Sequence, residues 1–354
     1  MQHGMQHETE EERHGRLHRM SDIRTKSLHS ISRTSNNDCV PSDGHIGHRA
    51  QHIHAMLAVV EQRTEIYREM KVRKLSYALG AEVLGFQVTA NPSAETVSEL
   101  KDIFHQYQVL LFRNQPISFE THIAFSALFG ELDDHSHVPE YRLEGHPHLI
   151  KVTNEGKERK KVFGQQWHSD HSQTICPSMA SLLHAHDIPE VGGETMFTNM
   201  YLAFDTLSPG MQHMLEGMRA VHTVVNAGHL RGIDAELRRQ KEDRNPPVLH
   251  PVVRVHPGTG RKALYVSEML TSHFEHLSTE ESAPLLQYLF KHSVQPEFVY
   301  RHQWRKHDLV MWDNRCTMHL ALMDYDHAQL RRLFRTTILG DHKGEYLQCV
   351  EATA

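Results

Sequence analysis

The sequence predicts an α+β domain with a mainly β core, a sandwich or barrel with helices on its outside. Many short apolar or alternating segments are separated by Gly, Pro, Asn and Asp, the pattern of short strands and their turns. Segments with helical periodicity lie mostly in the N-terminal half of the body. They do not alternate with strands as βαβ units would, which argues against a parallel doubly wound sheet.

The chain divides into a polar N-terminal extension and a long body. Residues 1–69 are predicted to be a disordered, His-rich extension, because most of this stretch lacks apolar periodicity. A short amphipathic helix is a candidate at 52–70. The body is expected at 70–345, followed by a short tail at 346–354. We hypothesise that Met70 is the natural start of the protein, which mass spectrometry of the native N-terminus tests.

Composition excludes several classes of protein. A chain of 354 residues with 39% hydrophobic and 23% charged residues is typical of a globular protein with a sizeable core. It contains no apolar run of membrane-span length and no secretory signal. The net charge of −6, without a basic stripe, argues against nucleic acid as the partner. The four scattered cysteines indicate neither a disulfide framework nor a thiolate zinc site, so we expect a cytoplasmic protein.

In the N-terminal half of the body, local signals define two helices and a buried strand. Residues 75–88 are predicted as short strands punctuated by glycines. A helix is expected from Asn91-Pro92-Ser93 to about Tyr107, since its apolar residues recur at helical spacing. The apolar run 108–112 predicts a buried strand. A second helix is expected at 118–129, ended by Gly130.

The C-terminal half is richer in strand signals. Ser208-Pro209 supplies an N-cap and a favourable first helical residue, which predicts a helix to about 218. Another helix is expected at 279–291, and Pro-Gly-Thr-Gly within 250–266 predicts a β-hairpin. The remaining predicted strands are 149–153, 179–186, 196–197, 308–312 and 333–339. Residues 154–161 are expected to form a mobile loop, because they are mostly charged and contain a glycine.

The segment Trp167-His168-Ser169-Asp170 carries a candidate metal site. On an extended backbone, alternate side chains point the same way, so His168 and Asp170 can converge. A distant His319 would complete the 2-His-1-carboxylate set that non-haem Fe(II) oxygenases use. The chain has 32 histidines, so such a pair also arises by chance, as at His273-Phe274-Glu275. The pair therefore needs support from the motifs around it.

Five motifs in order supply that support. They are His168-x-Asp170, Gly192-Gly193-Glu194-Thr195, Trp312-Asp313-Asn314-Arg315 leading to His319, Arg331 and Arg335. Together they resemble the Fe(II)- and 2-oxoglutarate-dependent dioxygenases of the taurine dioxygenase / 2,4-dichlorophenoxyacetate dioxygenase family, over about 75–341. Residues 250–265 also resemble the aryloxyalkanoate-cleaving members. The resemblance implies a double-stranded β-helix (jelly-roll) core with helices on one side, and a homo-oligomer, either dimer or tetramer.

The same resemblance implies roles for the metal and cofactor residues. His168, Asp170 and His319 would hold Fe(II), leaving positions for the keto oxygen and C1 carboxylate of 2-oxoglutarate and for O2. Thr195 and Arg331 would bind the far carboxylate of 2-oxoglutarate. The planar fork of an arginine suits this task, because it meets a carboxylate with two hydrogen bonds.

Substrate contacts follow from the resemblance with some departures. Arg335 matches the arginine that holds the anionic group of the substrate, and His135 matches a histidine that contacts a sulfonate. The spacing after His319 is one residue longer than in taurine dioxygenase, so Arg332 competes with Arg331 for the cofactor role. Gly164 and Val138 replace two polar contacts, which argues against taurine itself.

The implied reaction is oxidative decarboxylation of 2-oxoglutarate to succinate and CO2, coupled to hydroxylation of a small anionic organic substrate. Aryloxyalkanoates, sulfonates and alkyl sulfates are the expected substrate classes. Two alternatives use the same three metal-binding residues: a zinc-dependent hydrolase, and a non-catalytic metal- or anion-binding protein. Residues 133–137 are either a solvated loop or a substrate-facing one, and the arginines are either ligand-binding groups or a solvated basic edge.

Overall fold

The body of the chain is organised around one large sheet. The structure is a computed structural model that describes residues 70–156, 164–224, 236, 239–240, 243, 245–341 and 344–346. The extension at 1–69, most of the loop predicted at 154–161 and the tail beyond 346 lie outside the described residues. None of the helices in the described part of the chain has the length and apolar character needed to cross a membrane.

Strands make up most of the regular structure. They are, in chain order, β1 (Val72–Lys74), β2 (Ala81–Val83), β3 (Val109–Phe112), β4 (Arg142–Leu143), β5 (His146–Thr153), β6 (Ala180–Asp187), β7 (Thr195–Asn199), β8 (Arg219–His222), β9 (Val248–Pro251), β10 (Val253–Val255), β11 (Lys262–Leu264), β12 (Thr271–Phe274), β13 (Val299–His302), β14 (Leu309–Asp313), β15 (Thr317–Ala321), β16 (Arg332–Ile338) and β17 (Glu345–Tyr346). The main helices are α1 (Ala94–Tyr107), α2 (Phe119–Ala127), α3 (Met200–Asp205), α4 (Pro209–Glu216) and α5 (Thr279–Ser293).

Two sheets enclose the part of the core that carries the site. The eight-stranded sheet has the order β1-β2-β3-β14-β6-β16-β5-β4, and only its β2–β3 pair is parallel. A second sheet has the order β13-β7-β15. Phe197 of β7 packs with Trp312 of β14 and with apolar residues of β6 and β16, so the two sheets share a core. The expected strand-rich fold with few helices is confirmed.

Helices α1 and α2 cover the other face of the large sheet. Leu100 and Phe104 of α1 and Phe125 of α2 pack on buried strand residues such as Phe112. Side chains that accept from backbone N–H groups start both helices, Ser93 from Thr96 and Ser118 from Thr121. The predicted starts of four helices, at 93, 118, 208 and 278–279, are confirmed, and so is the hairpin β10–β11.

Some elements differ from the sequence-based prediction. Of the strands expected within 75–88, β2 lies there, whereas residues 75–80 form a turn closed by the hydrogen bond from Leu75 N–H to Gly80 O, and β1 precedes it. Strands β8, β12, β13 and β15 are additional to the predicted ones. Each has only four or five residues and mixes polar with apolar side chains, so it carries little periodic signal. Helix α3 follows β7 directly, so no turn residue marks its start in the sequence.

The glycine pair before β7 permits a close backbone approach that bears on the site. Gly192 has φ +79°, and a Cβ there would lie 2.2 Å from the carbonyl oxygen of Asp324. Gly193 N–H donates to the Asp324 side chain at 3.0 Å. The pair thereby fixes the segment that leads from β15 to Arg331.

We expect Gly192→Ala to destabilise the fold strongly. A left-handed alanine costs ~1–2 kcal/mol, and the clash with Asp324 adds roughly 1–3 kcal/mol. Gly145→Ala is the matched control, since Gly145 has φ +77° but no atom within 4 Å of the position that a Cβ would occupy. Chemical denaturation measures both. Equal losses in the two variants would show that the close approach at Gly192 is unimportant.

Candidate active site

Backbone pairing brings the two predicted histidine ligands together. His168 forms an isolated antiparallel bridge with His319 of β15, with N–H to O distances of 3.2 and 2.8 Å. Asp170, two residues further along, points to the same side. Its Oδ1 lies 3.8 Å from His168 Nε2 and 3.9 Å from His319 Nε2. All three side chains are buried, so the sequence-predicted triad is assembled at one point.

The protonation states of the triad suit a metal. Burial lowers the pKa of His319 to about 3 and also lowers that of His168, which leaves neutral imidazoles with free lone pairs. Burial alone would raise the pKa of Asp170. The charge of the adjacent Arg335 more than offsets it, so the carboxyl has a pKa below its ordinary range. Two imidazoles and a carboxylate are a donor set that fits Fe(II).

A hydrogen-bonded network holds Asp170 from behind. Ser181 Oγ, on β6, donates to Asp170 Oδ2 at 2.7 Å. Asn314 Nδ2 donates to Ser181 Oγ at 3.1 Å, and Asn314 Oδ1 accepts from Asp170 N–H and from Trp312 Nε1. The oxygen that faces the histidines is Oδ1, so Oδ2 is the one held away from them. Sequence reasoning missed Ser181, because its role depends on the tertiary contact of β6 with Asp170.

Replacing Ser181 by alanine is expected to weaken metal binding by about 10–100-fold, the usual effect of losing a group that orients a ligand. The fold should persist, since one hydrogen bond to a charged group contributes ~1.5–3 kcal/mol. Equilibrium dialysis with Fe(II) under argon gives the affinity. Ser293→Ala is the control, because Ser293 is equally buried but its hydroxyl donates only within α5. Unchanged affinity in Ser181→Ala would remove this positioning role.

Arg331 and Thr195 lie in the cavity that contains the triad. Arg331 is 4% exposed, and its Nε donates to Gly193 O at 3.0 Å. No ion pair to Arg331 is formed within the described residues. Burial lowers its pKa to about 10 although nearby Tyr325 opposes the shift, so the guanidinium remains charged. Thr195 Oγ1 accepts from Trp304 Nε1 at 3.0 Å, which leaves its hydroxyl proton for a ligand. A buried cation beside such a donor fits a carboxylate.

Arg332 is directed elsewhere. Successive residues of an extended backbone face opposite sides, so Arg331, directly before β16, and Arg332, its first residue, diverge. Arg332 Nε donates to Asp187 Oδ2 at 2.7 Å, and Arg332 does not line the cavity. Of the two candidates left open by the sequence, only Arg331 therefore reaches the cavity.

Of the two predicted substrate-binding residues, Arg335 lines the cavity and His135 does not. Arg335 lines the cavity and its Nη1 donates to Asp170 Oδ1 at 2.7 Å, while its Nε has no hydrogen-bond partner. His135 is fully buried behind the cavity wall, and burial, followed by the charge of Arg335, lowers its pKa to about 3. Besides the two histidines of the triad, the histidines that line the cavity are His137 and His171. The sequence points to the 133–137 loop but does not tell which of its histidines faces inward.

The cavity has a volume of about 230 Å³ and two kinds of wall. Around the triad it is polar, with Arg331, Arg335 and Thr195. Its apolar wall consists of Ile150, Val152, Leu183, Val224, Met269 and Leu270. Sequence reasoning missed Met269 and Leu270, since they lie in a short segment without periodicity or motif. Such a cavity can hold an anion with an apolar body next to the metal.

Comparison with known proteins shows which family the chain belongs to. The sequence profile of the family described as taurine catabolism dioxygenase TauD, TfdA family matches residues 71–337. The 2,4-dichlorophenoxyacetate dioxygenase of Cupriavidus pinatubonensis, described as alpha-ketoglutarate-dependent, is 37% identical, with 69% of this chain and 89% of that protein covered. An alkylsulfatase of Acinetobacter baylyi is 30% identical, with 75% and 84% covered.

A solved structure shares the fold as well. The crystal structure of a taurine dioxygenase from Burkholderia xenovorans has a TM-score of 0.66 at 31% identity, with 79% of this chain and 95% of that chain covered. The expected enzyme class and its Fe(II), 2-oxoglutarate and O2 requirement are thereby confirmed. The chain belongs to the TauD, TfdA family of 2-oxoglutarate-dependent dioxygenases.

Proposed function

We propose that this dioxygenase hydroxylates a small anionic organic molecule, with His168, Asp170 and His319 holding Fe(II). Thr195 and Arg331 bind the far carboxylate of 2-oxoglutarate. The observation that carries this assignment is the buried guanidinium of Arg331, which faces the same cavity as the triad and has no carboxylate partner among the described residues. Bound iron and 2-oxoglutarate supply the oxidising chemistry, with succinate and CO2 as co-products.

The protein's own residues prepare the site for this reaction. Ser181 and Asn314 fix the orientation of Asp170, and Trp312 packs against His319 with ring centroids 4.8 Å apart. Burial keeps both imidazoles neutral. The charge of Arg331 orients the cofactor so that its other end reaches the metal. These tasks are positional, and none needs a protein side chain to react.

Arg335 is the proposed contact for the anionic group of the substrate. One guanidinium nitrogen is bonded to Asp170, and the other donors are left for a ligand beside the metal. The apolar wall then receives the rest of the molecule. The substrate classes that we propose are aryloxyalkanoates, alkyl sulfates and sulfonates. They are suggested by the relatives named for 2,4-dichlorophenoxyacetate and alkyl sulfates and by the solved taurine dioxygenase. His135 supports this region from behind the wall, with His137 and His171 in front.

Hydroxylation has a further consequence for such substrates. If the hydroxylated carbon carries an ether oxygen or a sulfur group, the product is a hemiacetal or its sulfur equivalent. It breaks down to a carbonyl compound with release of a phenol, sulfate or sulfite. Product analysis by mass spectrometry would therefore show the leaving group as well as succinate.

The Arg335→Lys variant tests the substrate contact. Lysine keeps a positive charge beside Asp170 but loses the planar fork, so we expect a higher KM for the substrate and a nearly unchanged KM for 2-oxoglutarate. Succinate release on a panel of the three anion classes identifies the substrate and gives both constants. A KM rise confined to 2-oxoglutarate would mean that the roles of Arg331 and Arg335 are exchanged.

A jelly-roll core is the finer fold that we propose. Eight segments in chain order are β5, the His168 bridge segment, β6, β7, β13, β14, β15 and β16. Their order is 1-8-3-6 in the large sheet and 2-7-4-5 in the smaller one. This alternation between two facing sheets is the connection pattern of a double-stranded β-helix, and it supports the assignment.

The proposal extends to the organisation of the whole chain. The dioxygenase domain spans 70–345, with an extension before it and a short tail after it; the match to the family over 71–337 supports these bounds. Scattered cysteines, of which Cys176 and Cys316 are free, favour a cytoplasmic location. A homo-oligomer, dimer or tetramer, is the proposed assembly, and light scattering of the full chain measures it.

The two alternative functions explain fewer features of the cavity. A zinc hydrolase needs a metal-bound water but neither Thr195 nor an unpaired buried Arg331. A non-catalytic binding protein predicts iron binding without succinate formation. Succinate release, measured with and without iron, therefore separates the dioxygenase from both alternatives.

A further inference from the structure

A second group of metal-binding side chains lies on the wall of the substrate cavity. It consists of Asp133, His137 and His171, whose ligand atoms lie within 4.8 Å of one another. His171 Nδ1 is 3.4 Å from Asp133 Oδ2, and His137 Nδ1 is 3.9 Å from Asp133 Oδ1. In the catalytic triad, the corresponding distances from Asp170 Oδ1 to His168 Nε2 and His319 Nε2 are 3.8 and 3.9 Å. Both groups contain two imidazoles and one carboxylate, and they share no residue. The ligand atoms of both lie within 4.8 Å of one another.

The backbone holds this second group in place. Asp133 N–H donates to Thr337 O of β16 at 2.9 Å, and its Oδ1 accepts from His135 N–H at 2.7 Å. His171 has φ +57°, a left-handed conformation that aims its ring back toward Asp133, and its carbonyl accepts from Thr174 N–H at 3.0 Å. The rings of His137 and His171 meet edge to face at 4.9 Å. A metal ligand set held in this way needs only small side-chain rotations to close.

We propose that Asp133, His137 and His171 form a second divalent-metal site that takes Zn(II). Zinc accepts imidazole nitrogen and carboxylate oxygen at about 2.0–2.2 Å, so ligand atoms on one ion lie roughly 3.4 Å apart. The two distances from Asp133 to the histidines, 3.4 and 3.9 Å, are at this value or slightly above it. Three protein ligands leave a fourth position, which faces the cavity because His137 and His171 line it.

The surroundings set the strength of this site. Arg335 is the nearby cation and opposes a second positive charge, but it is itself paired with Asp170. Arg335 therefore lowers the affinity of this site for Zn(II) without excluding the ion. Asp133 supplies the one carboxylate, with its side chain 10% exposed. The half-exposed ring of His137, with 40% of its side chain accessible, gives an ion access from outside.

Zinc counting in a background without the catalytic site tests the proposal. The full-length His319→Ala protein is dialysed against Zn(II), alongside His319→Ala/His137→Ala and His319→Ala/His213→Ala. His213 is an exposed histidine of α4, so its removal controls for surface binding, and the histidines before Met70 are the same in all the compared proteins. We expect one fewer zinc per chain with His137→Ala and no change with His213→Ala.

A second variant guards against an indirect effect. His137→Gln keeps a polar side chain of similar size but removes the imidazole, and it should lose the same zinc while melting like its parent. Equal zinc content in all four proteins would overturn the proposal. Since the readout is bound metal and not turnover, this result would leave the dioxygenase assignment untouched, and a failure of that assignment would not alter the zinc count.

Discussion

The His319→Ala variant is expected to form no succinate above background while remaining folded. Loss of the imidazole removes one of three protein ligands, so the metal is neither held nor oriented. The backbone pairing with His168 survives, because alanine keeps the N–H and C=O groups that make it. His319 Nδ1 has no hydrogen-bond partner to lose, so the cost in stability should be about 0.5–3 kcal/mol. Succinate assays, iron analysis and thermal unfolding measure the three effects.

His273→Ala is the matched control for this experiment. His273-Phe274-Glu275 repeats the spacing of a histidine two residues before an acid, but His273 does not line the cavity. Glu275 is occupied instead by an ion pair with Arg219 at 2.5 Å. The control should keep its iron and its activity. Succinate formation by His319→Ala near the wild-type rate would remove His319 as a ligand.

Arg331→Ala should lower the affinity for 2-oxoglutarate more than any other change outside the metal ligands. Breaking a buried charge pair by removing one partner typically costs ~2–5 kcal/mol, about 30-fold or more in Kd. The guanidinium is buried, and Gly193 O holds its Nε, so no neighbouring cation can replace it without rearrangement. Isothermal calorimetry with the iron-loaded protein under argon gives the Kd, and the KM for 2-oxoglutarate should rise in parallel.

Arg332→Ala is the control that the chain itself offers, since the two arginines are neighbours. Its side chain pairs with Asp187 on the other side of the sheet, one-third exposed, so cofactor binding should be almost unchanged. The opposite ranking, with Arg332→Ala weakening the cofactor and Arg331→Ala leaving it intact, would contradict the cavity geometry.

The sequence alone identifies those site residues that belong to a motif with a characteristic spacing. His168 and Asp170 follow from the period of an extended backbone, and the five ordered motifs lead to His319, Thr195 and Arg331. The choice between Arg331 and Arg332 stays open at that level, because it depends on which face of β16 is buried and hence on strand register. Pairing of β16 with β6 and β5 settles that register.

Other parts of the site depend on contacts that no local pattern encodes. Ser181 reaches Asp170 only because the fold brings β6 against the segment that carries Asp170. The sequence predicts His135 in the cavity, but Asp133 and a left-handed turn place His137 there. Met269 and Leu270 form the apolar wall from a segment without strand or helix periodicity. Tertiary packing therefore determines the substrate region, while sequence motifs determine the metal and cofactor region.

Anaerobic titration with Fe(II) and then 2-oxoglutarate is the decisive measurement for the proposed site. Joint binding of metal and 2-oxo acid should give a weak visible metal-to-ligand charge-transfer band in the wild type. The band should be absent in His319→Ala and require much more 2-oxoglutarate in Arg331→Ala. If saturating Fe(II) and 2-oxoglutarate give no band in the wild type, or an unchanged band in His319→Ala, then the triad and Arg331 do not form the iron and 2-oxoglutarate site.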